Sequence, residues 1–327
     1  MENKPDIGFD KIIDALLDLN NAFPPKYLHR FSDIPQMDLA SLQKVWNLIV
    51  DSRKVTLLED LEAVSDSDTL TSFFDVGRLA LTDSFAPVRE LGIRLLWECE
   101  EHSLVKVFLK MLNTDPDINV QAAVASALGR FINLGELDVI PGEERDAIEQ
   151  ALIPKFDKSN PQLLRRRAIE SLGYSSTPAI DKLIKQAYSE SDKAMVASAL
   201  FAMGRSANDA WAQTVISNLQ NQNVDVQEEA VRAAGELELQ VAREEILELL
   251  DDEGLDMNVF LAAIWSLSQI GGPGIMEKFE ELSEDPDMDE ETLELIDSAG
   301  ENLEFNNSLV NFNLLDIAPE EDEDEEV

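Results

Sequence analysis

Apolar positions along most of the chain recur at i, i+3, i+4 and i+7, the spacing that gathers them on one face of a helix. Ile180, Leu183, Ile184 and Ala187 form one such stripe, Ala212, Val215, Ile216 and Leu219 a second, and Ala242, Ile246, Leu249 and Leu250 a third. Beyond each stripe comes a turn and then a second helical segment rich in small residues. The clearest copies are NVQAAVASALG, LLRRRAIESLG, MVASALFAMG, VQEEAVRAAG and VFLAAIWSLS, which end at Gly129, Gly173, Gly204, Gly235 and Ser268. Weaker copies end at Trp97 and Gly300. The ends are separated by 32, 44, 31, 31, 33 and 32 residues, so a unit of two helices, A and B, recurs with one insertion of 12 residues. The insertion, Phe131 to Glu144, reads as a surface loop before a helix from about Glu143 to Lys155.

The punctuation suits such units. Asp115-Pro116-Asp117, Asn160-Pro161 and Asp285-Pro286-Asp287 offer N-capping side chains and stop the preceding helix. The glycines that end helix B are expected to adopt the left-handed conformation that closes a helix. Counting back from each end, Ala168, Ala199, Ala230 and Ala263 stand five residues before it. Ala127, Ser171, Ala202, Ala233 and Ser266 stand two before it, and Val88, Val120, Leu164, Met195, Val226 and Val259 nine before it. These positions share one face and read as the buried seam, small residues allowing helices to approach and larger ones filling between layers.

The ALG, AMG and AAG endings, with LSQIGG at 267–272 close to an ALGxIGG form, resemble the short bacterial HEAT repeats also called PBS-lyase HEAT-like repeats. The resemblance covers roughly residues 67 to 303. It implies an all-α fold, a right-handed α-solenoid of antiparallel helix pairs, in which the second helices line the concave surface. Tetratricopeptide and ankyrin arrays have similar periods, but their W-x2-L-G-x2-Y and T-P-L-H-x-A signatures are absent. Residues 1–66 carry no clear copy and read as an N-terminal helical cap of degenerate repeats. Its candidate helices run around Ile12 to Leu19, Leu39 to Ile49 and Val55 to Leu61, divided by Phe23-Pro24-Pro25 and Ile34-Pro35. Residues 304–327 form a third region, an apolar motif within Asn306 to Ile317 followed by an acidic run, Glu320 to Glu326, expected to be disordered.

Charge changes the picture of what such an array can bind. The 327 residues carry a formal net charge of −40. From Glu244 to Val327 there are 28 acidic residues and one basic, whereas the first 243 hold 38 acidic and 25 basic. Nucleic-acid binding rests on Lys and Arg neutralising phosphates, so that class is disfavoured. No apolar run approaches the ~18 residues of a membrane span. MENKPDIGFD lacks the basic start and apolar run of a secretory signal, and the lone Cys99 permits no intramolecular disulfide. A cytoplasmic monomer is expected.

Catalytic chemistry is sparse. His29 and His102 are the only histidines. Cys99 and His102, three apart, read as structural rather than as a metal or nucleophile pair. HEAT-like hydroxylases hold two irons through His-Glu pairs, and no His-Glu dipeptide occurs here. The acidic turn at Asp285 lacks the glycine and twelfth-position acid of a calcium loop, and no phosphate loop or nucleophile elbow is present. Neither a cofactor nor a metal is expected.

The stronger candidates lie opposite the buried seam of helix B, about 160° around the helix. Three residues before each end, the column reads Arg94, Ser126, Glu170, Phe201, Arg232, Trp265 and Asp297, and just after the ends stand Arg130, Tyr174 and Arg205. Arg94, Arg130, Tyr174, Phe201, Arg205, Arg232 and Trp265 suit recognition of a protein or peptide partner, since Arg and Trp dominate binding hot spots. The competing reading has Phe201 and Trp265 filling lateral gaps between helices. The function expected is a non-catalytic protein-binding scaffold or adaptor. The alternative is a subunit of a phycobilin-lyase-like enzyme that handles tetrapyrrole chromophores, a class to which the resemblance extends.

Overall fold

The computed structural model describes residues 8–286 and 288–315, with side chains as far as residue 305. The chain divides into two compact units, Met1–Ser175 and Ser176–Val327. Unit 1 begins with α1 (Phe9–Leu17), α2 (Gln36–Val45) and α3 (Asp51–Ser67). It continues with three pairs: α4 (Phe74–Ala80) with α5 (Ala86–Arg94), α6 (Ser103–Thr114) with α7 (Ile118–Glu136), and α8 (Gly142–Leu152) with α9 (Gln162–Leu172). Unit 2 holds four pairs: α10 (Pro178–Tyr188) with α11 (Lys193–Arg205), α12 (Ala212–Ile216) with α13 (Val224–Glu236), α14 (Arg243–Leu249) with α15 (Met257–Ile270), and α16 (Ile275–Ser283) with α17 (Glu290–Leu315). The described residues contain no strand.

Each A helix packs on its own B helix, and each B helix packs on the next: α3 on α5, α5 on α7 and α7 on α9 in unit 1, and α11 on α13, α13 on α15 and α15 on α17 in unit 2. Within unit 2 the A helices share few contacts with one another, so the B layer is the tightly packed one. This is the recurring two-helix unit that the period implied, in the all-α solenoid arrangement that the resemblance implied. The three candidate helices of residues 1–66 are present, joined by a 3-10 helix at Pro25–Phe31 that the sequence reading missed. They share one apolar core with the first pair: Ile12, Leu16, Phe31, Leu42, Trp46 and Leu58 pack together with Phe73, Val76, Ala80 and Val88.

The seam is buried as the spacing required. Val120, Met195, Val226, Val259, Ala168, Ala199, Ala230 and Ala263 are all fully enclosed. The glycines, however, do something other than expected. The helix runs on past Gly129 to Glu136, and Gly204 and Gly235 are helical, while Gly173 is a C-cap with φ −55°. None of these four is left-handed; the positive-φ glycines are Gly271, Gly272 and Gly274. What requires glycine is proximity. A Cβ on Gly129 would lie 2.9 Å from Ser171 Oγ, one on Gly204 2.9 Å from Ala233 Cα, and one on Gly235 2.7 Å from Ser266 Cα. Each glycine thus meets the small residue two before the end of the following B helix. Where that residue is serine its hydroxyl donates back across the contact, Ser171 to the Ala125 carbonyl and Ser266 to the Val231 carbonyl, both at 2.8 Å.

Helix closure falls to other residues. After α13, Glu238 takes φ +49°, its N–H bonds Gly235 O and the Leu239 N–H bonds Ala234 O, a Schellman motif with a non-glycine at the left-handed position. Asp138 at φ +58° does the same after α7, with Val139 N–H on Leu134 O. The expected loop at Phe131 to Glu144 is therefore mostly helix: α7 continues through buried Phe131 and Ile132, and only the stretch from Leu137 to Pro141 links it to α8. Continuing an apolar face onto a neighbouring helix satisfies backbone and side chains at once, which a loop cannot. The helix expected from Glu143 to Lys155 is present as α8 and a 3-10 turn, Ile153–Phe156.

At the turns Asp117 caps α7 through the Asn119 and Val120 amides, but Asn160 does not cap α9; its side chain donates to the Pro154 carbonyl and Pro161 occupies the cap. Asp289, rather than the Asp285-Pro286 turn itself, caps α17 by accepting from Thr292 N and Oγ1. Asp287, the segment from Asn306 to Ile317 and the run Glu320 to Glu326 lie outside the residues whose side chains are described. Long polar side chains eight residues before the ends brace the turns. Gln121 donates to Asp115 O, Arg165 to Phe156 O and Gln227 to Leu219 O, and Arg89 donates to Asp83 O and to both carboxylate oxygens of Asp115.

One buried ion pair anchors the N-terminal helices. Lys54 of α3 and Asp83 are 2.7 Å apart, 3% and 5% exposed, and the Trp46 indole donates to the same carboxylate oxygen at 2.7 Å. Burial pushes the Asp83 carboxyl upward, yet the Lys54 ammonium, the Phe85 amide and the Trp46 indole outweigh it and hold the group below its ordinary value.

Two expected outcomes follow. Gly235→Ala drives a methyl into backbone and should cost about 1–3 kcal/mol, while Glu238→Gly, relieving a left-handed residue, should gain about 0.5–1 kcal/mol; denaturant melts of the two variants should move in opposite directions. Asp83→Ala strands a buried ammonium and should cost about 3–5 kcal/mol. A group with a lowered folded pKa stabilises above its unfolded value and ceases to as pH falls through the folded one. The wild-type advantage over Asp83→Ala should therefore be full at neutral pH and shrink in acid below about pH 4.

Candidate interaction surface on the B helices

The column opposite the seam is graded rather than uniformly exposed. Arg94 and Asp297 are exposed, Ser126, Phe201, Arg232 and Trp265 are half-buried, and Glu170 is buried and paired with Arg167 at 2.6 Å. The seven expected partner-binding residues separate into two groups.

In unit 2, four of them converge. Phe201 and Arg205 from α11, Arg232 from α13 and Trp265 from α15 line a cavity of about 290 Å³ with Glu229, Ala233 and Glu236. Their convergence follows from the close seam contacts beneath them: with Gly204 against Ala233 and Gly235 against Ser266, the three helices bring like positions side by side. The Arg205 guanidinium lies 5.2 Å from the Phe201 ring centre and 2.7 Å from Glu236. Arg232 bonds Glu228 through Nε and Nη2, both at 3.1 Å. Burial raises the Glu236 carboxyl above its ordinary value, and the charges of Arg205 and Arg232 oppose the rise. The result is an open hollow walled by two aromatic rings and a guanidinium face, floored by an alanine and edged with paired charges.

In unit 1 the three candidates do not share a cavity. Arg94 makes a bidentate pair with Glu62 of α3 at 2.8 and 2.5 Å, Arg130 bonds Glu100 at 2.7 Å, and Tyr174 is half-buried. The acidic partners were missed by sequence reasoning, although a signal existed: Glu62 and Arg94 are 32 residues apart, Arg205 and Glu236 31, which is the repeat interval itself.

Other chemistry does not assemble. Cys99 is buried beside Arg78 Nη2 at 3.4 Å, while His102 faces Glu144 at 3.3 Å. Among the described residues no His, Cys, Asp and Glu group could hold a metal ion, and no helix is long and apolar enough to cross a membrane.

Removing Arg205 takes away the nearest opposing charge, so Arg205→Ala should move the Glu236 titration further upward. Side-chain carboxyl NMR checks the direction, and an unmoved or lowered titration would contradict the pairing.

Residues 104–134, which span α6 and most of α7, match the HEAT repeat family model. No curated protein matches the chain. Among solved structures, the chain is similar to YibA of Escherichia coli at 14% identity and TM-score 0.44, covering 87% of this chain and 97% of that one. It is similar to human deoxyhypusine hydroxylase at 17% identity and TM-score 0.34, over 80% and 95%. It is also similar to importin beta at 11% identity and TM-score 0.44, over 94% of this chain and 48% of that one.

Proposed function

We propose that this chain, with a HEAT repeat at residues 104–134 and helix pairs of the same kind before and after it, is a HEAT-repeat protein that works as a non-catalytic protein-binding scaffold or adaptor. The observation that supports this reading is the meeting of Phe201, Arg205, Arg232 and Trp265, from three successive B helices, around one open hollow. Aromatic rings and a stacked guanidinium present large, stiff contact area at small entropic cost, the kind of surface on which hot spots form. The neighbouring carboxylates hold the arginines in place, so less order is lost when a partner docks. The occupant is an extended or helical segment of another protein that inserts an apolar side chain between Phe201 and Trp265. Arg94, Arg130 and Tyr174 would supply further contact residues on unit 1 itself, in a cytoplasmic setting.

Affinity capture with crosslinking from the native lysate names the partner. Phe201→Ala, Arg232→Ala and Trp265→Ala should each weaken its capture by about tenfold or more while leaving the melting temperature within a degree or so, as truncation of a half-buried surface residue does. A marked fall in melting temperature for the two aromatic variants would favour lateral packing instead, and unchanged capture by all three would remove the hollow from consideration.

A further inference from the structure

A second groove, in unit 1, has chemistry of its own. It is a cavity of about 370 Å³ between α3, the start of α4 and the end of α5, lined by Glu62, Asp66, Phe74, Arg94, Trp97 and Glu98 among others. Trp97 is 47% exposed, an unusual position for the largest side chain, and Leu70, next in sequence to the lining residue Thr69, is 89% exposed. The groove's single cation, Arg94, is already held by Glu62 at 2.8 and 2.5 Å. Asp66 and Glu98 are exposed and make no ion pair among the described residues. The pocket therefore offers two unspent carboxylates beside an indole and a phenyl ring, and it already shows that a guanidinium fits one of its carboxylates in the bidentate way.

We propose that this groove binds a peptide segment of a partner protein in which arginine alternates with apolar residues. The guanidinium would pair with Asp66 and Glu98 and lie against Trp97, and the apolar neighbours would cover Phe74 and Leu70. Charge complementarity selects this occupant. A phosphate-bearing ligand would meet three carboxylates against one neutralised arginine. A guanidinium, planar and weakly hydrated, gains both a fork-shaped salt bridge and contact with an aromatic face. The proposal rests on the scaffold reading but uses residues distinct from the unit 2 hollow, so either can fail alone.

The test is fluorescence polarisation of the full chain with a short labelled peptide of alternating arginine and leucine, at low salt. Trp97→Ala and the double variant Asp66→Asn with Glu98→Gln should each weaken binding by about tenfold, with melting temperatures unchanged. The double variant Glu245→Gln with Glu248→Gln, equally acidic surface in unit 2, should leave affinity as it was, and a peptide with glutamate in place of arginine should not bind. Saturable binding with that pattern supports the proposal. Absence of saturable binding, equal weakening by the unit 2 variant, or comparable binding of the glutamate peptide would overturn it, the second outcome showing diffuse attraction to an acidic chain.

Discussion

Everything on the B face depends on how closely successive B helices approach. The contact is backbone against backbone in all but name: Gly204 on Ala233 and Gly235 on Ser266 leave no room for one methyl group. Close approach gives dense dispersion contact over the full helix length and lets Ser171 and Ser266 return a hydroxyl bond to the helix before. It also fixes register, because a helix slid by one residue would put a side chain where only hydrogen fits. The A helices, which lack such a row of contacts, are held mainly by their own B helices.

The same constraint organises the surface. With the seam fixed, the position three before each end must lie beside its counterpart on the next helix, so Phe201, Arg232 and Trp265 become neighbours without any contact designed among them. Ion pairs then form between counterparts as well, Glu62 with Arg94 and Arg205 with Glu236. An acidic chain can keep arginines on an open face in this way without their attracting every anion in solution.

The helix pairs, their period and the seam were legible because they rest on repetition: one alanine is weak evidence, but Ala168, Ala199, Ala230 and Ala263 at one register are strong. The N-terminal helices were legible from apolar spacing, although the 3-10 turn at Pro25–Phe31 was hidden behind two prolines. The role of the glycines was misread because a glycine near a helix end serves closure and close approach equally well in sequence, and only the position of the next helix distinguishes them. The continuation of α7 past Gly129 was masked for the same reason. Of the seven candidate residues, the sequence placed four in one column and three just after the ends, but gave no shared cavity; convergence of four needed the inter-helix distances. The groove beside Trp97 was invisible, since it brings together α3, which carries no recognisable copy, and the end of α5.

Two codes therefore run along the B helices with different transferability. Excising one 31-residue repeat, residues 206–236, would set Gly204 against Ser266, a contact that Gly235 already makes, so the seam would close again. The same excision would set Arg205 against Gln269 in place of Glu236, and the arginine would lose its anchor. The repeats that end at Gly204 and Gly235 are thus interchangeable at the seam and distinct at the surface. Loss of one such repeat would leave the seam closed and rewrite which charges face one another beside it.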